Sequence, residues 1–140
     1  VVGRWICPAC DREFGSAHQA HLCVPGCTVD EVFSGRPPYQ RAAYDRIIEH
    51  LKTLGPVHED AVTVGVFLKA DRKLAEVRPK ARSLLLYLIL PRVITGPLVG
   101  RAERIAAGRF GHYVKLTDPA QVDAQVKAWL TEAYDVAEER

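Results

Sequence analysis

WICPACDREFGSAHQAHLCVPGC, residues 5–27, holds all four cysteines of the chain, Cys7, Cys10, Cys23 and Cys27, together with His18 and His21. Such a cluster reads as a metal site. Zinc takes nitrogen and sulfur donors from four directions at about 2.0–2.3 Å, and a Cys-x2-Cys turn delivers two thiolates from one corner of backbone. Cys7-Pro8-Ala9-Cys10 is such a corner. The second pair is expected about a dozen residues on, where a short helix returns the chain to the metal. Three pairings meet that requirement: His21 with Cys23, Cys23 with Cys27, and His18 with Cys23.

Residues two apart point to different sides of a helix, so His21 and Cys23 share an ion only if the helix stops near His21 and the chain turns. Val24-Pro25-Gly26 supplies the stop. The same Pro-Gly argues against a regular helix carrying Cys23 and Cys27 on one face. The preferred ligands are therefore Cys7, Cys10, His21 and Cys23, with Cys27 as the alternative. Trp5, Phe14 and Leu22 are expected to form the small core of a metal-stabilised module. A pair of disulfides is the competing reading; the interleaved histidines and the lack of a preceding secretory signal argue against it. Three thiolates and an imidazole fill a tetrahedron, so one structural Zn2+ is expected, not a catalytic one.

The run Trp5-Ile6-Cys7-Pro8-Ala9-Cys10-Asp11-Arg12-Glu13-Phe14, followed by Gln19, His21 and Cys23, resembles the amino-terminal zinc finger of a group of bacterial proteins. In these a Cys-x2-Cys-x-Arg-x-Phe segment and a Gln-x-His-x-Cys segment precede a domain of unknown function numbered 5655. The rest of the chain is similar to that domain at Gly55-Pro56-Val57, Gly65-Val66-Phe67 before Lys69, the apolar run ending at Leu90-Pro91, His112-Tyr113-Val114 and the closing segment Asp123 to Tyr134. The resemblance implies an architecture and the ligand set Cys7, Cys10, His21 and Cys23. It implies no activity, and Cys27 lies outside its pattern.

A chain of 140 residues accommodates one finger and one domain with its own core. The longest apolar run, Leu84 to Leu90, is far short of the roughly twenty residues that a membrane-spanning helix needs. No targeting signal appears at either end, and cytoplasm is the expected compartment, where zinc thiolates suit the reducing conditions. The net charge is only +2, but it is unevenly spread. Residues 61–115 carry eleven basic against three acidic side chains, whereas both flanking segments, 28–60 and 116–140, are acidic.

The expected organisation is a zinc finger over 1–27, a linker with a short helical turn over 28–38, and an α+β domain over 39–140. Thr28 caps the turn through Phe33, and Ser34-Gly35-Arg36-Pro37-Pro38 forms a hinge. From Tyr39, Tyr44, Ile47, Ile48, Leu51 and Leu54 recur at helical spacing until Gly55-Pro56. Val62, Val64, Val66 and Leu68 alternate with Thr63, Gly65, Phe67 and Lys69 and predict one half-buried strand. Leu74 to Arg78 is its partner, and Ser83 to Leu90 a central strand. Pro91 to Arg109 is expected as a loop-rich connection with a short helix from Arg101 to Ala106. Phe110 to Leu116 returns to the sheet. Asp118 as N-cap, Pro119 and Gln121 then open a helix with Val122, Val126, Trp129, Leu130, Ala133 and Val136 on one face. The sum is an antiparallel sheet of four to five strands packed against two main helices.

Enzymatic signatures are sparse. There is no glycine-rich phosphate loop, and Ser16, Ser34 and Ser83 lie in no nucleophile context. No residue is assigned a catalytic role; His58-Glu59-Asp60 reads as a solvated turn, and an enzyme would need a pocket near His112. Recognition has more behind it. Lys69, Arg78, Lys80, Arg82, Arg92, Arg101, Arg104, Arg109 and Lys115 lie on or between predicted strands, and several on one face would attract phosphate backbones. Arg4 and Arg12 beside Trp5 and Phe14 add groups that stack on bases. The reading is a zinc-binding, non-enzymatic recognition protein, with nucleic acid as partner. A protein-interaction adaptor working through the finger is the alternative.

Overall fold

The switch from helical to two-residue periodicity after Gly55 sets the architecture seen in the computed structural model, which describes residues 4–138. The outermost residues of the expected 1–27 and 39–140 segments therefore lie outside the described residues. Two short strands, β1 (Trp5–Ile6) and β2 (Glu13–Phe14), pair antiparallel near the amino terminus. Next come helices α1 (Val29–Phe33) and α2 (Pro38–Leu54). Six strands build the main sheet: β3 (His58–Val62), β4 (Gly65–Lys69), β5 (Lys73–Pro79), β6 (Leu84–Leu90), β7 (Val99–Ala106) and β8 (Arg109–Leu116). Helix α3 (Ala124–Ala137) closes the chain.

The sheet order is β3-β4-β5-β6-β8-β7, antiparallel throughout. Because strand side chains alternate between faces, the sheet has two unlike surfaces. Val66, Leu68, Ala75, Val77, Leu86, Leu88, Val114 and Leu116 share one core with Ile47 and Leu51 of α2 and Val126, Leu130 and Tyr134 of α3. Burying each such side chain contributes about 1.5–3 kcal/mol, so this layer dominates the stability. The opposite face carries Phe67, Glu76, Tyr87 and Tyr113 in one cross-strand row, and Arg78, Leu85 and Lys115 in the next. No helix covers it.

The helices begin where the capping chemistry dictates. Thr28 and Glu31 form a reciprocal capping box at α1, and Val32 and Phe33 sink into the main core. Buried Gln40 of α2 donates to the carbonyls of Lys80 and Ser83, which fixes the β5–β6 turn against the helix.

The α+β class, the antiparallel sheet and both main helices agree with the sequence reading; several elements do not. Val62 to Leu68 is no single strand: Val62 pairs with Gly65 across a two-residue turn at Thr63-Val64, which makes a β3–β4 hairpin. The segment expected as a loop with a helix over 101–106 is strand β7, which pairs with β8 and forms the sheet edge. Those two changes raise the strand count to six. Gly108, at φ 68°, makes the tight β7–β8 turn, and bulges let β7 tolerate its irregular sequence. The expected capping box at Asp118 is split. Pro119–Gln121 is a 3-10 turn, Gln121 Oε1 accepts from the Thr117 amide, and Asp123 caps α3 separately.

Candidate metal centre and the sheet face beside it

The β1–β2 hairpin wraps a tight knuckle. The Asp11 amide donates to the Cys7 carbonyl at 2.8 Å, and the Cys7 amide to Arg12 at 2.9 Å. Asp11 takes a left-handed φ of 59°, a conformation that Asp tolerates better than most residues. Cys7 and Cys10 are thereby brought together, and the return segment carries His21 and Cys23 to them. The four donor atoms lie within 4.8 Å of one another. Cys7 Sγ is 3.7 Å from Cys23 Sγ, and His21 Nε2 is 3.4 Å from Cys10 Sγ and 3.2 Å from Cys23 Sγ. Tetrahedral ligands at about 2.3 Å from an ion stand close to 3.7 Å apart, so these spacings are ones that a four-coordinate ion would accept. All four cysteines are free.

His21 is oriented for the task. Its Nδ1–H donates to the Gln19 carbonyl at 2.6 Å, leaving the Nε2 lone pair to face the thiols. Its ring stacks on Phe14 with centroids 4.0 Å apart. At Cys7, burial raises the thiol, but the Ala9 and Cys10 amides and the neighbouring thiols outweigh it and bring the pKa down to about 6. Cys23 moves the other way, to about 11, through its hydrogen bond to Cys7 and its burial. Cys7 therefore supplies the first thiolate, and a cation would draw the remaining protons off.

Neither alternative ligand joins the group. Cys27 stands outside the group, its amide donating to the Ala61 carbonyl of β3 and its thiol pushed up by burial and by Glu31. His18 sits exposed beside Trp5, at a ring separation of 5.2 Å. Two further expectations fail here. No helix forms between Gly15 and Pro25, because the close-set His-x-Cys donors need a bent chain rather than a rod. Leu22 is not core but 80% exposed; Phe14, Trp5 and His21 form the small cluster instead.

The module is fastened to the sheet by a buried triad. Arg12 Nε and Nη2 grip both oxygens of Asp60 at 2.9–3.2 Å, and Lys69 Nζ reaches the same carboxylate at 2.8 Å. Arg12 also donates to the Leu22 carbonyl, between two ligands. Burial opposes ionisation of Asp60, yet the two cations hold its carboxyl below the ordinary range. Lys69 shares one anion with a competing guanidinium, so burial wins and its ammonium pKa falls. His58-Glu59-Asp60 is thus not a solvated turn but strand β3 at this joint, with His58 Nδ1 3.4 Å from Glu13. The sequence reading missed Asp60; its only signal is a carboxylate in a stretch of otherwise alternating strand.

The basic residues divide by place. Lys69 is buried in the triad and withdrawn from the surface. Arg92 pairs with Glu132 of α3, on the helical side. Lys80 and Arg82 stand exposed in the β5–β6 turn. Arg78 and Lys115 lie on the open face, where Arg101 covers the Tyr113 ring at 4.4 Å. Arg104 and Arg109 line a cleft of about 510 Å³ with Lys73, Tyr87 and Glu103. A second cleft, about 750 Å³, runs between the metal module and the open face, and shares Lys73 and Arg109 with the first. His112 is wholly buried: Nε2 accepts from the Ile94 amide, and Nδ1–H donates to the Leu88 carbonyl. Both ring nitrogens are therefore taken up by backbone, and the imidazole opens onto neither cleft.

Fold and site together define an α+β protein whose open sheet face is flanked by a Cys3His group able to hold a metal ion. Residues 29–137 match the family described as Domain of unknown function (DUF5655), and the chain belongs to that family. Comparison with curated proteins and with solved structures gave no match. No helix among the described residues is long and apolar enough to cross a membrane.

Proposed function

We propose that this is a zinc-stabilised, non-enzymatic recognition protein that contacts nucleic acid through the open face of its sheet. Zinc is the reading for the metal because three thiolates and one imidazole are its customary structural set and leave no position for a reacting water. Residues 1–27 form the zinc finger, 28–38 connect it, and 39–140 form the recognising domain. Zinc thiolates suit a reducing compartment, and cytoplasm is the expected one.

The observation that carries the nucleic-acid reading is the interleaving of rings and cations on one surface. Tyr87 and Tyr113 meet edge to face at 5.0 Å, Arg101 lies over Tyr113, and Lys73 sits 5.3 Å from the Phe67 ring. Rings hold bases by stacking, and cations hold phosphates through counterion release. Glu76 and Glu103 lie among them, each hydrogen-bonded to neighbours on the same face, and set the positions of Lys73, Arg78 and the two tyrosine hydroxyls. A salt titration of binding to mixed-sequence DNA and RNA tests the reading. Affinity should fall linearly on a log–log plot as salt rises, and failure to bind at low salt refutes it. The adaptor alternative draws support from Ile6, 59% exposed, and Leu22 on the finger. It expects a defined protein partner in a pull-down, lost with Cys23→Ser.

A further inference from the structure

Two of the most exposed large apolar side chains, Leu22 and Val64 (58% exposed), line the same cleft, one from the metal module and one from the β3–β4 turn. Phe67 adds an aromatic surface to it. The lining residues include six basic side chains against one acidic, Asp71. Asp60 and Glu76 pair with four of the six and hold those cations in place at the cleft. The wall opposite the sheet is the segment that carries His21 and Cys23.

Building on the nucleic-acid reading, we infer that this cleft takes an unpaired nucleotide of a single strand, whose neighbours continue along the open face. An apolar and aromatic pocket beside cations suits a base with its phosphate. Lys73 and Arg109 stand in both clefts, so the path is continuous and fits a polymer rather than an isolated small molecule. A duplex keeps its bases stacked inside and cannot deliver one beneath the module. Because the wall is held by metal ligands, metal removal takes the cleft apart while the sheet face persists.

The experiment is fluorescence anisotropy of the metal-loaded full chain with a short labelled single strand, its duplex, and an acidic peptide as competitor. The single strand should bind at least about tenfold tighter than the duplex, and Val64→Asp and Leu22→Asp should each weaken it by about tenfold or more, the value of roughly one stacked base. Both positions are exposed, so circular dichroism should find either variant folded, and Leu22→Asp decides alone if Val64→Asp is not. Chelation should reproduce the loss. If both variants bind like the parent while Arg101→Ala and Lys115→Ala weaken binding, the open face stands and the cleft assignment falls. Equal affinity for duplex, or displacement by the acidic peptide at lower concentration than unlabelled strand, also overturns it. No binding of any nucleic acid by the parent removes the underlying reading as well.

Discussion

Arg12 closes on Asp60 with Nη2 2.9 Å from Oδ2 and Nε within 3.2 Å of both carboxylate oxygens, and both side chains are nearly dry. This contact joins the cysteine knuckle to the first strand of the sheet. Asp60→Asn removes the carboxylate that Arg12 and Lys69 share and leaves two cations facing each other out of water. A loss of about 3–5 kcal/mol is expected. Urea denaturation measures it; a loss below one kilocalorie, as for an exposed pair, would mean the triad is solvated.

Metal content separates the cysteines. Cys23→Ser and His21→Ala should each abolish stoichiometric zinc, read by native mass spectrometry, whereas Cys27→Ser should keep one ion per chain. Equal loss in Cys23→Ser and Cys27→Ser, with His21→Ala silent, would point to four thiolates. Chelator should release the module's protection from proteolysis before that of the sheet.

His58 gives the joint a pH dependence. Burial, then Arg4, pushes the imidazole below its ordinary 6.5 despite Glu13 and Asp60. A depressed folded value means that its contribution is complete above 6.5 and is lost as pH falls through the lowered value, because the unfolded chain takes up the proton first. Thermal unfolding should therefore show the parent losing stability relative to His58→Gln as pH drops from about 7.5 to about 5. The difference between the two curves isolates the imidazole, since thiolate protonation releases metal from both. A constant difference across that range contradicts the assignment.

Gly111 lies opposite Ile89, and a Cβ there would run into the Tyr87 ring. Gly111→Ala should turn Tyr87 off its place and break its bond to Glu103. Because what must move is one half-buried side chain and not backbone, stability should change by about 1 kcal/mol or less, while nucleic-acid affinity drops several-fold. Unchanged affinity with a displaced Tyr87 would show that this ring contacts no base.

The legible parts of the chain were those governed by local chemistry. The Cys-x2-Cys corner, the Pro-Gly stop and the Thr28 cap each act within a few residues, so the clustering of Cys7, Cys10, His21 and Cys23 and the start of α1 could be read directly. The β3–β4 turn could not: Thr63-Val64 carries no Gly, Asn or Pro, neither residue has a positive φ, and Val64 keeps the alternation running through the reversal. Strand β7 was hidden for the opposite reason. Almost wholly exposed, it shows no buried face in its sequence, and its pairing comes from β8. Asp60 looked solvent-facing because its partners lie 48 and 9 positions away.

Just past the ligands, Gly26 bridges Val62 and the Cys27 amide binds Ala61, so the tail of the module lies along the outer side of β3. That edge is otherwise a row of hydrogen-bonding groups ready to accept another strand. At the far side β7 defends itself with bulges and arginines; β3 relies on the module. If the Cys3His group holds zinc as proposed, loss of the ion would free this edge to pair with another chain, so the state of the thiols would govern self-association.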